Sequence, residues 1–432
     1  MAQGARIYNL FPLLAGTTVD WERHLDRIAG MNFNWIFLNP HTAPGGSGSL
    51  YAVKDYYSLH PLFQGKSKSS PDKLLRKFLT AAGDRGISVM IDLVINHTGN
   101  DSVLTEEHPE WFVREHDGSL RAPFALDPGD PSKKTVWGDL AEIDYSERPE
   151  RAAILSYFGK VITHYIRLGV KGFRCDAAYK VPKEVWSELI ALGKKEDKDT
   201  LFVAENLGSM MEEVEALRGA GFDYLFNSAK WWDFKQPWLL EQYEAFRTIA
   251  PSIAFPETHD TERLAADLAE QGVTDPHELE LRYRHAYLFS AAFSAGVMIP
   301  IGFEYGFKSK LHVVETRPAD WEKPTFDLTR YIGAVNKMKA SVPVLNEEGP
   351  QGTVLIDGGR LMCLVGRMQR GSSWSVTVVN PDPNQRVTAR LQGLDGDFNA
   401  GREVTPDWQG VPFYPDMELT LDPGDVRVFA RA

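Results

Sequence analysis

Short apolar runs alternate with segments of helical spacing along the chain up to about Val344. In the helical segments, apolar residues recur every three or four positions, which predicts amphipathic helices. This spacing is clearest from 149 to 168, and it returns from 276 to 295. The apolar runs between such segments predict buried strands. The first part of the chain is therefore a repeated strand–helix alternation.

The alternation contains eight predicted strands. They lie at 7–11, 34–39, 87–92, 169–176, 200–205, 223–226, 253–255 and 297–300. Eight strand–helix units are typical of a closed parallel (β/α)8 barrel, a TIM barrel. An open doubly wound sheet is the alternative, and the count of eight favours closure. The predicted fold class is thus α/β with a central barrel.

Two segments depart from the alternation and define the predicted domains. Residues 99–145 lack a sustained period and are rich in Pro, Gly and charge, which predicts an inserted domain after strand 3. Residues 345–432 carry short alternating strands between turns, which predicts a C-terminal β-sandwich. Strands are predicted there at 360–368, 373–379, 386–391 and 425–430. Residues 1–98 and 146–344 form the predicted barrel.

Composition and charge exclude some classes of function. The chain has 432 residues, 43% hydrophobic and 25% charged, as in ordinary globular proteins. Its net charge of -12 argues against nucleic-acid or anionic-membrane partners. No apolar segment follows Arg6 as in a signal peptide, and no run of about 18 apolar residues occurs. A cytoplasmic location is therefore expected. The oligomeric state is not defined by any feature of the sequence.

Polar residues cluster at the predicted ends of four strands. In this type of barrel, catalytic groups lie at the C-terminal ends of the strands. Arg174 and Asp176 are two positions apart and point to the same side of strand 4, where the guanidinium favours the ionised carboxylate. A structural ion pair is the alternative for these two residues. Strands 3, 5 and 7 end in further acids and histidines, namely Asp92, His97, Glu205, His259 and Asp260.

Several carboxylates converging on one barrel end favour acetal chemistry. Such chemistry needs one acid to protonate the leaving oxygen and one carboxylate to attack the anomeric carbon. Each residue alone could equally be a strand-end cap or a hydrogen-bonded structural group. The presence of these residues at the ends of four strands favours a catalytic site.

Four segments, in this order, resemble the four motifs of the α-amylase superfamily, glycoside hydrolase family 13. They are Asp92-Leu93-Val94-Ile95-Asn96-His97, Gly172-Phe173-Arg174-Cys175-Asp176-Ala177-Ala178, Val203-Ala204-Glu205-Asn206 and Glu257-Thr258-His259-Asp260. The long insertion after strand 3 and the β-sandwich tail also match that family. The resemblance spans essentially the whole chain.

The resemblance implies a catalytic role for three carboxylates. Asp176 would be the nucleophile that forms a covalent glucosyl-enzyme, and Glu205 would be the general acid and then the general base. Asp260 would bind sugar hydroxyls and favour the distorted ring. Arg174 would keep Asp176 ionised. Two displacements would give retention of configuration, for which the two carboxyl groups should lie about 5–5.5 Å apart.

The resemblance also implies roles in substrate binding. His97 and His259 would hydrogen-bond the sugar in the first subsite, and Asp92 would be a supporting carboxylate beneath them. Tyr51 matches the family's stacking aromatic residue, although a loop tyrosine packed on the barrel rim is the structural alternative.

No cofactor is expected to be required. Many members of the family bind calcium through the carbonyl of a histidine in an Ala-Lys-His sequence after the nucleophile. This chain has Ala178-Tyr179-Lys180 at that place. Asn96 and Asp139 are the remaining candidate calcium ligands. No metal ligands are therefore assigned.

The substrate class implied by the resemblance is α-1,4-linked glucan or maltooligosaccharide. The chain would act as a retaining glycosidase, either a hydrolase or a transglycosylase. Segments 108–112 and 137–145 are similar to inserts of the maltosyltransferase branch, which uses maltose 1-phosphate. A maltosyl- or 4-α-glucanotransferase is thus one alternative, and an isomerase of the trehalose-synthase type is another. Trp231 and Trp232 are candidate acceptor-stacking residues, with packing beneath a loop as the alternative for both.

Overall fold

The central feature is a closed barrel of eight parallel strands. The computed structural model describes residues 4–127, 130–367, 373–394, 398, 400–407 and 410–431. Each barrel strand pairs with its neighbours in chain order, and the last pairs with the first. The strands are β1 (Arg6–Leu10), β2 (Trp35–Leu38), β3 (Ser88–Leu93), β4 (Gly172–Cys175), β5 (Leu201–Ala204), β6 (Tyr224–Phe226), β7 (Ser252–Ala254) and β8 (Gly296–Pro300). The predicted fold class is confirmed.

Helices connect the barrel strands, and one more helix follows the last strand. They are α1 (Pro12–Ala15), α2 (Thr18–Glu22), α3 (Leu25–Gly30), α4 (Pro61–Gln64), α5 (Pro71–Gly83), α6 (Val103–Glu107), α7 (Glu150–Leu168), α8 (Lys183–Glu196), α9 (Met211–Glu215), α10 (Trp238–Phe246), α11 (Leu264–Glu270), α12 (Pro276–Phe293) and α13 (Thr329–Ser341). In the described ranges, none of them has the length and apolar content needed to span a bilayer.

The connection between β1 and β2 differs from the predicted single helix. The spacing of Trp21, Leu25 and Ile28 predicts one helix, whereas the structure has two, α2 and α3. The amides of Arg23 and His24 bond to carbonyls three residues earlier, so the backbone tightens and α2 ends there. The three apolar side chains are nevertheless fully buried.

The inserted segment after β3, called the excursion below, is closed at its base by a short antiparallel pair of strands. His97–Gly99 pairs with Leu140–Glu142, and the hairpin of Phe124–Asp127 with Asp130–Val136 lies between them in the chain. This pairing brings the end of the excursion beside His97 at the mouth of the barrel. A second hairpin, Thr42–Pro44 with Val53–Leu59, follows β2 and is not predicted by the sequence pattern.

The C-terminal region is an antiparallel sandwich. Its strands are β9 (Gln351–Ile356), β10 (Leu361–Arg367), β11 (Trp374–Val379), β12 (Val387–Arg390), β13 (Gly401–Glu403), β14 (Pro412–Phe413), β15 (Glu418–Leu421) and β16 (Val426–Arg431). Strands β12 and β15 form a two-stranded sheet whose apolar residues pack on the six-stranded sheet of the others. Met368, the predicted end of one strand, lies outside the described residues. The exact domain boundaries stay a prediction.

Alternation along β16 explains how the sandwich meets the barrel. Val426 and Val428 belong to the main core around the barrel, whereas Phe429 belongs to the core of the sandwich. Successive side chains of a strand point to opposite faces. The large sheet therefore packs on the barrel with one face and on the small sheet with the other.

A buried ion pair anchors the segment after β7. Arg263 is 1% exposed, and its Nη1 donates to Glu257 Oε1 at 2.8 Å. Arg263 Nη2 also donates to the carbonyl of Ile301 at 2.9 Å, while Glu257 Oε2 accepts from the amide of Leu264. Four hydrogen-bonding groups thus hold the start of the His259-Asp260 segment.

We expect Arg263→Leu to lower the free energy of unfolding by about 3–5 kcal/mol, because Glu257 would be left buried without its charge partner. Urea unfolding followed by circular dichroism measures this change. Arg360→Leu is the matched control, since Arg360 pairs with Asp357 at an exposed site and such pairs contribute about 0–1 kcal/mol. Equal losses in the two variants would contradict the anchoring role of Arg263.

Candidate active site

Arg174 is the centre of the site. It lies opposite Asp92 in the register of β4 and β3. Its Nη1 lies 3.1 Å from both carboxylate oxygens of Asp92 and 2.5 Å from Asp176 Oδ1. Arg174 and Asp176 therefore do point to the same side, and one guanidinium nitrogen joins two acids.

The second guanidinium nitrogen faces two further acids. Arg174 Nη2 lies 3.9 Å from Glu205 Oε2 and 3.9 Å from Asp260 Oδ2. Burial lowers the pKa of Arg174, but the surrounding negative charges outweigh it, and the pKa is raised well above its ordinary value. The structure thus gathers four carboxylates around one permanent cation.

Glu205 is held by backbone amides in a buried position. Leu207 N donates to Oε1 at 2.6 Å, and Ala177 N donates to Oε2 at 3.0 Å. Ala177 has a positive φ of 41°, so the turn directly after Asp176 aims its amide at Glu205. Burial raises the pKa of Glu205 to about 7, against the opposing effect of Arg174. This carboxyl group can therefore hold a proton near neutral pH.

Tyr51 connects Asp92 with His259. Tyr51 OH donates to Asp92 Oδ2 at 2.8 Å, and it lies 2.8 Å from His259 Nε2. Asn39 Nδ2 donates to the same hydroxyl at 3.1 Å. The hydroxyl is already a donor to Asp92, so this network places the ring proton of His259 on Nε2. Burial raises the pKa of Asp92, although Arg174 opposes this effect.

The two histidines differ in position. His259 Nε2 lies 3.1 Å from Asp260 Oδ2, and its ring stacks on Tyr51 with an interplanar angle of 4°. His97 Nε2 lies 4.0 Å from Asp176 Oδ2, and Asn96 Nδ2 lies 3.2 Å from its Nδ1. Burial lowers the pKa of both rings, which favours their neutral forms.

A pocket of about 320 Å³ opens above these groups. Its walls contain six of the eight predicted site residues, namely Tyr51, His97, Arg174, Asp176, Glu205 and Asp260. The other two, Asp92 and His259, lie behind the wall, with side chains 0% and 2% exposed. Asp260 is the open member of the group, with a side chain 52% exposed.

The pocket wall includes residues that strand-end analysis does not find. Trp137, Asp139 and Leu140 come from the excursion, and Tyr179 comes from the turn after β4. Val313 comes from the long segment after β8, and its carbonyl accepts a hydrogen bond from Leu50 N. For Tyr179 the signal is its position three residues after Asp176. For Val313 the sequence carries no signal.

The candidate calcium ligands Asn96 and Asp139 stay a prediction. Asp139 belongs to the pocket wall, whereas the amide of Asn96 faces the ring of His97. Calcium prefers six to eight oxygen ligands. In the described ranges, no group of three or more His, Cys, Asp or Glu could hold a metal ion. The roles assigned to Asp176 and Glu205 do not involve calcium.

The chain is similar to known proteins both in sequence and in structure. A family model described as the glucanotransferase domain of glycogen debranching enzyme matches residues 3–127. An α-1,4-glucan:maltose-1-phosphate maltosyltransferase of Burkholderia pseudomallei is 25% identical over 403 residues, 89% of this chain and 34% of that protein. The same-named protein of Myxococcus xanthus is 24% identical, covering 96% of this chain and 66% of that protein. The chain thus spans about a third of the length of the Burkholderia relative.

Solved structures match the fold over nearly the full chain. The α-amylase of Anoxybacillus superposes with a TM-score of 0.77 at 19% identity, covering 99% of this chain and 98% of that one. The closed barrel, the ordered strand-end residues and these similarities together support an α-amylase superfamily member with similarity to the maltosyltransferases.

Proposed function

We propose that the protein is a retaining enzyme that cleaves α-1,4 glucosidic bonds of maltooligosaccharides through a covalent glucosyl-enzyme on Asp176. The observation that carries this proposal is the contact of one buried guanidinium, Arg174, with a nucleophile candidate and an acid candidate on adjacent strands. Retaining glycosidases need one ionised and one protonated carboxyl group close together.

The first step follows from the hydrogen bonds of the two carboxyl groups. Asp176 Oδ1 is held by Arg174, which leaves Oδ2, the oxygen facing His97, to attack the anomeric carbon. Glu205 donates its proton to the glycosidic oxygen as the bond to the leaving sugar breaks. Asp176 then carries the glycosyl group in an ester, and Glu205 is ionised.

The second step reverses these roles. Glu205 takes a proton from a water molecule or from a sugar hydroxyl, and the resulting nucleophile attacks the same anomeric carbon. The ester to Asp176 breaks, and its carboxylate is restored. Asp260, half exposed beside Arg174, is placed to bind hydroxyls of the distorted ring. Water as acceptor gives hydrolysis, and a sugar as acceptor gives transglycosylation.

A second candidate is maltosyl transfer from maltose 1-phosphate. The names of the relatives from Burkholderia and Myxococcus support it. The pocket wall itself supports a neutral donor instead, because three carboxylates, Asp139, Asp176 and Asp260, line it together with Arg174. A phosphate would enter an acidic pocket at a Coulombic cost.

Product sizing separates these candidates. The protein is incubated with maltoheptaose and, separately, with maltose 1-phosphate and a maltooligosaccharide acceptor. Shorter sugars alone indicate a hydrolase, and products longer than the donor indicate a transglycosylase. Release of phosphate indicates the maltosyltransferase. No turnover of either donor would contradict the proposal. The cytoplasmic location stays a prediction.

A further inference from the structure

Two buried asparagines connect the first two barrel strands with Tyr51. Asn9 belongs to β1, and Asn39 directly follows β2. Both residues are 0% exposed. A buried amide group without a hydrogen bond is unfavourable, so each of these side chains needs partners inside the protein. Those partners lead from the barrel backbone to the hydroxyl of Tyr51.

A backbone carbonyl fixes the direction of this series of hydrogen bonds. Asn9 lies beside Phe37 in the register of β1 and β2, and its Nδ2 lies 3.1 Å from the carbonyl oxygen of Phe37, which can only accept. The amino group of Asn9 also donates to Asn39 Oδ1 at 2.7 Å. Because its oxygen faces Asn9, Asn39 turns its amino group to Tyr51 and donates to the hydroxyl at 3.1 Å. The hydroxyl oxygen must therefore accept from Asn39.

The remaining bonds of the Tyr51 hydroxyl use its full capacity. It donates to Asp92 Oδ2 at 2.8 Å, and Nε2 of His259 lies 2.8 Å away as the second donor. A hydroxyl has one proton and two lone pairs, so one donated and two accepted bonds leave none free. If Asn39 were replaced by an acceptor, Tyr51 would have to turn its proton away from Asp92.

We infer that Asn39 is a positioning residue that directs the proton of the Tyr51 hydroxyl to Asp92. This inference rests on the proposed function. Asn39 is not part of the pocket wall, whereas Tyr51 lines it. Asn39 therefore acts through Tyr51 and not by contact with a sugar.

The proton donated to Asp92 matters because of the partner that Asp92 shares. Nη1 of Arg174 lies 3.1 Å from Asp92 and 2.5 Å from the nucleophile candidate Asp176. A hydrogen bond to a carboxylate favours its ionised form. The Tyr51 hydroxyl thus helps Asp92 to remain the negative partner that holds Arg174 against Asp176.

Asn39→Asp tests the direction of the bond, because it replaces the amino group by an oxygen in a side chain of nearly the same shape. Burial and the charge of Asp92 raise the pKa of the new carboxyl group. Below that pKa the group carries a proton that it can donate to Tyr51. Above it, the ionised group can only accept, and the proton of Tyr51 turns toward it.

The expected result is a pH-dependent loss of activity. We divide kcat/KM of Asn39→Asp for maltoheptaose by that of the unaltered protein. This ratio should be near one at about pH 5.5 and should fall roughly ten- to hundredfold by about pH 8. The charged and titratable groups that face Tyr51 are present in both proteins, so the ratio removes their common titration. They are Asp92, Arg174, Asp176, His259 and Asp260.

Two further variants separate this role from a merely structural one. Asn39→Leu has no donor at any pH, so its loss should be the same at about pH 5.5 and pH 8. Asn336→Asp is the matched control, because Asn336 is 0% exposed and accepts from the hydroxyl of Tyr287 at 2.7 Å between the outer helices α12 and α13. Its ratio should stay near one. A ratio for Asn39→Asp that does not change with pH, or full activity of Asn39→Leu, would overturn the inference.

Binding decides the inference if the unaltered protein does not turn over maltoheptaose, a result that contradicts the proposed function. Maltoheptaose is then titrated by calorimetry into Asp176→Ala and into Asp176→Ala with Asn39→Asp. Because Tyr51 lines the pocket, the affinity of the double variant should be roughly three- to tenfold weaker at about pH 8 and unchanged at about pH 5.5. That result supports the inference without turnover. Equal affinities at both pH values, or absence of binding to Asp176→Ala, would overturn it.

Discussion

Asp176→Ala is expected to lower kcat for maltoheptaose by about 10⁴-fold or more, because the substitution removes the atom that forms the covalent bond. The pocket, Arg174 and Glu205 remain, so substrate binding should persist. Initial rates and product sizing measure the loss. Asp422→Ala is the control, since Asp422 is an exposed acid of the sandwich that pairs with Arg386.

Azide distinguishes loss of the nucleophile from general damage. In Asp176→Ala, the space left by the carboxylate can admit azide, which attacks an activated α-glycosyl fluoride on the face that Asp176 would use. The expected product is a β-glycosyl azide, identified by the coupling constant of its anomeric proton. An α-azide, or residual activity close to that of the control, would contradict the role of Asp176 as nucleophile.

Glu205→Gln is expected to lower kcat/KM for maltooligosaccharides by about 10²- to 10⁴-fold, the usual contribution of general acid catalysis. The loss should be much smaller for the first step with an α-glycosyl fluoride, because fluoride leaves without a proton. Comparison of the two donors in burst-phase kinetics checks this difference. An equal loss for both donors would contradict the role of Glu205 as the acid.

The pH profile gives an independent test of the same residue. Glu205 must carry its proton in the first step, and burial raises its pKa to about 7. It is therefore protonated below pH 7, and kcat/KM should fall as the pH rises through about 7. Glutamine does not titrate, so Glu205→Gln should lose this basic limb while keeping the acidic one. An unchanged basic limb would assign it to another group.

The barrel and the ordered strand-end residues could be predicted from sequence because both depend on local pattern. Strand ends of a parallel barrel meet on one face, so Asp92, Arg174, Glu205 and Asp260 could be placed together from their positions alone. The hairpin of Thr42–Pro44 with Val53–Leu59 could not be predicted, because the pairing contains register shifts and follows no regular alternation.

Some residues of the pocket wall could not be predicted from local pattern either. Val313 lies on a segment without period, and its place depends on a hydrogen bond to Leu50, far away in the chain. The same limit applies to Trp231 and Trp232, since only packing against the barrel leaves Trp231 51% exposed and Trp232 buried. The change in pKa of Glu205 arises from burial, which no single motif encodes.

Trapping of the intermediate tests the central claim most directly. The protein is incubated with a fluorinated α-glycosyl fluoride that forms the glycosyl-enzyme quickly and hydrolyses it slowly, and the labelled peptide is then sequenced by mass spectrometry. We expect one glycosyl group per chain, attached to Asp176, and no label on Asp176→Ala. A label on any other residue, or none under conditions of turnover, would contradict a covalent mechanism at Asp176.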